Sequence, residues 1–160
     1  MTAAAMIDVQ RFLELIRQAA EKAGVFERID AGDAAIRCLA KDASAEAWYS
    51  IVREGNDWRV RLATADRWLS ESIEADLMHH GDPLEELIEE ELIDLDHVVA
   101  VDGAMPQVKH FRSDDRLYTF ENVIAMPDDT DRAATIATRY LLAYEAAFRE
   151  LGDMQGGDDE

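Results

Sequence analysis

Cys38 is the only cysteine in the chain, so no internal disulfide can form, and a reducing compartment is the expected setting. The stretch Ile36-Arg37-Cys38-Leu39-Ala40 alternates weakly in polarity. It places Cys38 at a buried strand position, where a thiol packs as a small hydrophobe; a nucleophilic role is the alternative. Apolar runs are short, and none approaches the roughly 20 residues that span a bilayer. The opening Met1-Thr2-Ala3-Ala4-Ala5-Met6 lacks the basic and apolar regions of a signal peptide. A cytoplasmic location and no membrane partner are therefore expected. Gly-rich phosphate loops, a G-x-S-x-G elbow and an H-E-x-x-H pair are missing as well, so no catalytic residue and no cofactor is assigned.

Basic side chains are scarce. Sixteen Lys and Arg stand against 35 Asp and Glu, for a formal charge of −19. A field of that sign repels phosphate backbones and anionic lipid, which argues against a nucleic-acid partner, and it favours solubility. The 48% hydrophobic content is ordinary for a globular protein. A chain of 160 residues is the size of one domain, which buries roughly 68–70% of its unfolded surface. A single domain over residues 1–152 is expected. The acidic, Gly-containing stretch from Asp153 to Glu160 is expected to be a disordered tail.

Hydrophobic periodicity sets the elements. Residues 6 to 23 read as an amphipathic helix carrying Phe12, Leu13, Ile16 and Ala20, with Gly24 as its stop. Three strands follow: Ala34–Ala40, Ala47–Arg53 with Trp48 and Tyr49 on opposite faces, and Trp58–Ala63, where Trp58, Val60 and Leu62 alternate with Arg59 and Arg61. Glu54-Gly55-Asn56-Asp57 joins the last two as a hairpin turn. A helix capped by Thr64 then carries Trp68, Leu69, Ile73 and Leu77 inward and ends near Gly81. Asp82-Pro83-Leu84-Glu85 opens the next helix, with Asp82 at the N-cap and Leu84, Leu87, Ile88, Leu92 and Leu95 on one stripe. Strands Gln107–Arg112 and Leu117–Ile124 precede a long helix from Thr130 to Leu151. The expected fold is α+β, with helices flanking a mostly antiparallel sheet of about five strands in the order α-β-β-β-α-α-β-β-α.

Three groups of residues are candidates for function. His79 and His80 precede Gly81-Asp82 at a helix–helix junction; polar residues at a helix end are the plain reading, and a metal-assisted hydrolase using His79, His80 and Asp82 is the enzymatic one. Adjacent histidines point about 100° apart on a helix and rarely share an ion. No Lys or Arg occurs between Arg67 and Lys109, whereas carboxylates such as Glu85, Glu86, Glu89 and Glu90 crowd the helix there. Like charges at i, i+4 cost a few tenths of a kcal/mol per pair. A solvated helix face explains them, and a docking surface for a basic partner is the sharper reading. Trp48, Trp58 and Trp68 are core residues by default, but at a sheet edge or an exposed face a Trp anchors an interface.

The element order resembles the bacterial YbjN-like family and the type III secretion chaperones that share its fold. The opening helix with Phe12, Leu13 and Ile16, the hairpin at Glu54–Asp57, the strand pair ending Leu117–Ile124 and the helix from Thr130 carry the resemblance. It covers nearly the whole chain as a pattern, without a motif, and departs in having two middle helices where the family has one. The resemblance implies a homodimeric, non-enzymatic binding protein, chaperone-like or regulatory, that holds a partner segment on its helices and sheet. The partner-contacting residues expected are Trp48, Trp58, Trp68, Glu86, Glu89 and Glu90. A small-molecule-binding sensory regulator on the same scaffold is the alternative.

Overall fold

The computed structural model describes residues 7–95 and 107–155. Helix α1 (Val9–Ala23) is capped by Asp8, whose side chain accepts from the Arg11 amide at 3.2 Å, and it stops where Gly24 takes φ 70°. Strands β1 (Phe26–Ala31), β2 (Ala35–Ala40), β3 (Ala47–Glu54) and β4 (Asp57–Thr64) follow. Then come helices α2 (Arg67–His80) and α3 (Leu84–Asp94), strands β5 (Lys109–Arg112) and β6 (Tyr118–Ile124), and helix α4 (Thr130–Arg149). Every strand pairs antiparallel with its neighbour in one six-stranded sheet ordered β1-β2-β3-β4-β6-β5. The fold is α+β, as expected, with one more strand than the sequence pattern indicated.

The additional strand is β1. A bulge between Phe26 and Arg28 shifts its register against β2, so the apolar residues Phe26 and Ile29 stand three apart instead of two. That spacing erases the period-2 signal of a strand. The β3–β4 hairpin matches expectation: Glu54 faces Asp57, and Gly55 supplies the positive φ of a two-residue turn.

All four described helices lie on one face of the sheet. Phe12 of α1 packs on Trp58 with ring centroids 4.6 Å apart, Phe148 of α4 on Phe120 at 5.1 Å, and Glu74 of α2 reaches His110 on β5. Helix α3 packs on α4. Helix α4 is the hub, and the reason is its small residues: Ala133, Ala137, Ala143 and Ala147 are buried and admit α1, α3 and the sheet to close approach. Between them Tyr140, Leu141, Tyr144 and Phe148 fill the core against Ile51, Val60 and Leu62.

Several local expectations are corrected. Asp66, not Thr64, caps α2 by accepting from Leu69 N at 2.8 Å; the Thr64 hydroxyl donates to Glu46 O instead. Pro83 holds the cap position of α3 without a side-chain hydrogen bond, so Asp82 is no N-cap. Trp68 is 75% exposed, because Leu69 and Ile73 form the buried stripe of α2 and Trp68 projects beside it. Gly152–Gln155 is not a frayed start to a tail but a 3-10 turn that buries Met154. Gly152 N donates to Asp76 Oδ2 at 2.6 Å and Asp153 N to Ser72 Oγ at 3.0 Å. Residues 156–160 of the expected tail lie outside the described residues, as do His97 and Asp102, the histidine and carboxylate that follow the acidic helix in sequence.

Candidate interaction surface

Side chains alternate across a strand, so the residues facing away from the helices follow from register alone. One row crosses all six strands: Asp30, Arg37, Ser50, Arg61, Glu121 and Lys109. The row on one side reads Ala35, Val52, Arg59, Val123, and the row on the other Leu39, Trp48, Ala63, Thr119, Phe111. The opposite face, with Ile36, Cys38, Tyr49, Ile51, Val60 and Leu62, is fully buried under α1 and α4. No described helix packs on the first face. It combines half-buried or exposed apolar groups (Trp48, Val52, Val123, Phe111) with arginines.

Arg59 and Arg61 sit at its centre. Glu121 between them is only 2% exposed, a carboxylate that must be paired. It accepts from Arg59 Nη1 at 2.5 Å and Arg61 Nε at 2.8 Å, while Arg61 Nη2 reaches Glu54 Oε2 at 2.8 Å. The hydrogen bond from Arg61 holds the Glu54 carboxyl below its usual range. Arg59 Nε is buried with no hydrogen-bond partner among the described residues. Beside this cluster a cavity of about 430 Å³ opens between Arg59, Phe111, Ser113 and Thr119. Toward β1, the guanidinium of Arg37 lies over the Trp48 ring at 4.2 Å and that of Arg28 at 5.3 Å.

The sheet's two edges differ from its face. The β1 edge is bulged and carries Glu27, Arg28 and Asp30. The β5 edge is four residues long and includes Lys109 and Arg112. Bulges, short strands and charged side chains are the devices that discourage strand addition. The open surface is the face, not the edge.

The three tryptophans expected to share an interface do not meet. Trp48 belongs to the open face. Trp58 is a core residue, 6% exposed, because it continues the inward row with Val60 and Leu62. Trp68 stands alone on α2. Glu86 and Glu90 are exposed on α3 and Glu89 is half-buried there, in the helix layer and away from the open face. His79 and His80 are exposed at the end of α2, which Gly81 terminates at φ 81°, and Asp82 is exposed beyond it. Among the described residues no three His, Cys, Asp or Glu side chains are grouped to hold a metal ion. Cys38 is fully buried, and burial pushes its thiol up to about 12, the opposite of an activated nucleophile. None of the described helices is long and apolar enough to cross a membrane.

Two features carried no sequence signal. The Arg59–Arg61–Glu121 cluster joins residues about 60 positions apart and exists only because β4 pairs with β6. His110 stacks on Phe120 with ring centroids 3.8 Å apart and interplanar angle 9°, and its Nε2 lies 2.7 Å from Glu74 Oε2. A second cavity, of about 490 Å³, lies at the end of the sheet over Trp58, among Ile7, Arg53, Met126 and Asp128. No protein-family model matches the chain, no curated protein matches it, and no solved structure matches it.

Proposed function

We propose that this protein is a non-enzymatic protein-binding module, chaperone-like or regulatory, that holds an extended segment of a partner on the open face of its sheet. The observation that carries the reading is the asymmetry of that sheet: one face lies beneath the helices, and the other, on which no described helix packs, presents Val123 and Phe111 exposed and Trp48 and Val52 half-buried. Six strands about 4.8 Å apart make a platform on the order of 24 Å wide, enough for a segment of about seven extended residues. Guarded edges steer the partner onto the face and away from strand addition. The reading agrees with what the resemblance to YbjN-like and secretion-chaperone proteins implies, including a homodimer, which sedimentation at micromolar concentration tests; a monomer mass would remove the dimer from it.

The test begins with a partner polypeptide identified by native mass spectrometry on protein purified gently from its own host. Val52→Glu and Val123→Glu, which place charge on the open face without touching the core, should release that partner while leaving the melting temperature unchanged. Release by Glu86→Lys and Glu90→Lys on α3, with the sheet variants still bound, would overturn the reading and favour the acidic helix face. The second reading, a sensor of small molecules, is supported by the cavity over Trp58, whose volume falls in the range of about 300–1,000 Å³ common for ligand sites. A co-purified small molecule displaced by Met126→Trp would favour it.

A further inference from the structure

Charge narrows the partner. We infer that the segment received on the open face is acidic, with two carboxylates spaced to meet Arg37 and Lys109. This inference rests on the proposed function and adds a chemical class to it.

The chain as a whole is at −19, yet Arg28, Arg37, Arg59, Arg61 and Lys109 lie in the outward rows of the sheet, against the four carboxylates Asp30, Glu54, Asp57 and Glu121 in the same rows. Three of these cations are already matched: Arg28 by Asp30 at 2.9 Å, and Arg59 and Arg61 by Glu121. Arg37 and Lys109 form no ion pair among the described residues, although Asp30 sits across from Arg37 in the ladder. Both are exposed. At physiological salt the screening length is about 8 Å, so an approaching carboxylate responds to these local cations more than to the distant acidic helices. Elsewhere the acidic surface repels such a segment, so the exposed cations of this face receive it.

Geometry adds specificity. The Trp48 ring holds the Arg37 guanidinium 4.2 Å from its centroid, which fixes the fork in advance and leaves its N–H edge for a bidentate carboxylate. Arg37 and Lys109 belong to one cross-strand row and are separated by four strand spacings, on the order of 19 Å. An extended chain covers that span in about six residues, and positions i and i+6 project to the same side. A segment crossing the strands along this row would therefore bring carboxylates six apart onto Arg37 and Lys109, passing over Ser50, Arg61 and Glu121 with Val52 and Val123 flanking it on one side and Trp48 on the other.

The probe is a capped twelve-residue peptide with Glu at i and i+6 and valine or serine elsewhere, compared with its Gln and Lys counterparts. Binding is read by fluorescence anisotropy and by the NMR shift of the Trp48 indole N–H. The Glu peptide should bind the sheet face, and Arg37→Gln or Lys109→Gln should each weaken it about tenfold, as expected for loss of one charge-assisted contact. Both residues are exposed, so neither variant threatens folding. If the Gln peptide binds the same face equally well, the inference of an acidic partner fails while the proposed function stands. If no peptide shifts Trp48, or the Lys peptide alone binds and does so on α3, both fail.

Discussion

The hydroxyl of Tyr144 on α4 donates to Oδ1 of Asn122 on β6 at 2.6 Å, with both side chains buried. Asn122 Nδ2 in turn donates to Val123 O at 3.1 Å, so this polar pair inside the core is matched on both sides. It ties the hub helix to the inner face of the sheet at a defined register. Tyr144→Phe leaves the Asn122 carbonyl oxygen without its donor and should cost about 1–3 kcal/mol by urea unfolding. Replacing both residues, as Tyr144→Phe with Asn122→Leu, should cost less than Tyr144→Phe alone. A double variant weaker than the single one would contradict this account of the pair.

Gly152 makes a second contact of this kind, where the chain folds back on α2. Its φ is 53°, and a Cβ there would come within 2.5 Å of Ser72 Oγ and 2.6 Å of Ile73 N. Because the obstruction includes backbone, Gly152→Ala should lose at least about 2 kcal/mol. Hydrogen exchange should show Met154 and its neighbours released first. Unchanged protection of these amides would mean that the turn is not held by this approach.

Glu121 separates stability from recognition. Removing its charge by Glu121→Gln weakens its bonds to Arg59 and Arg61, and should lower stability by about 1–3 kcal/mol. The same change leaves the open face more cationic, so the acidic peptide should bind more tightly even as the fold weakens. Loss of both together would show that the cluster is structural only.

Alkaline pH should unfold the protein early. Burial raises the Cys38 thiol to about 12 and the Tyr49 and Tyr144 hydroxyls well above their usual value near 10. In each case the native state holds a proton that the unfolded state releases. Their contribution to stability is therefore complete below the unfolded thiol value, about 8.5, and is lost as pH rises toward 12. The urea midpoint should fall between pH 8.5 and 10.5, and Cys38→Ala should flatten the first part of that fall. A midpoint that is level or rising would contradict the burial of these groups.

The tryptophans separate the two layers most simply. Trp58→Ala should cost about 3–5 kcal/mol because it opens a cavity beneath Phe12. Trp68→Ala on the exposed side of α2 should change stability by no more than about 0.5 kcal/mol. Thermal melts of the two variants check the assignment; equal losses would refute it.

What could be read before folding was whatever leaves a periodic trace. Trp58, Val60 and Leu62 alternate with Arg59 and Arg61, so β4 and its inward row were legible, and the helix caps at Gly24 and Gly81 were equally plain. Helix α2 was legible as an element but not in its facing, since Trp68 and Leu69 are adjacent and only the partner layer decides which is covered. Strand β1 was hidden by its bulge. The open face was hidden for another reason: it depends on which strands are neighbours. Nothing local in Arg61 or Glu121 says that β6 inserts between β4 and β5. The acidic helix, by contrast, was conspicuous in sequence, and the structure leaves it in the helix layer with Ile93 as its exposed apolar group.

The most direct test of the central claim is site-specific photo-crosslinking of the partner complex isolated from the native host. A benzophenone amino acid is placed in turn at Val123 on the open face and at Glu90 on α3, both exposed and outside the core. The account predicts a covalent adduct with the partner from position 123 and none from position 90. Adducts from position 90 alone would contradict it and move the binding surface to the acidic helix.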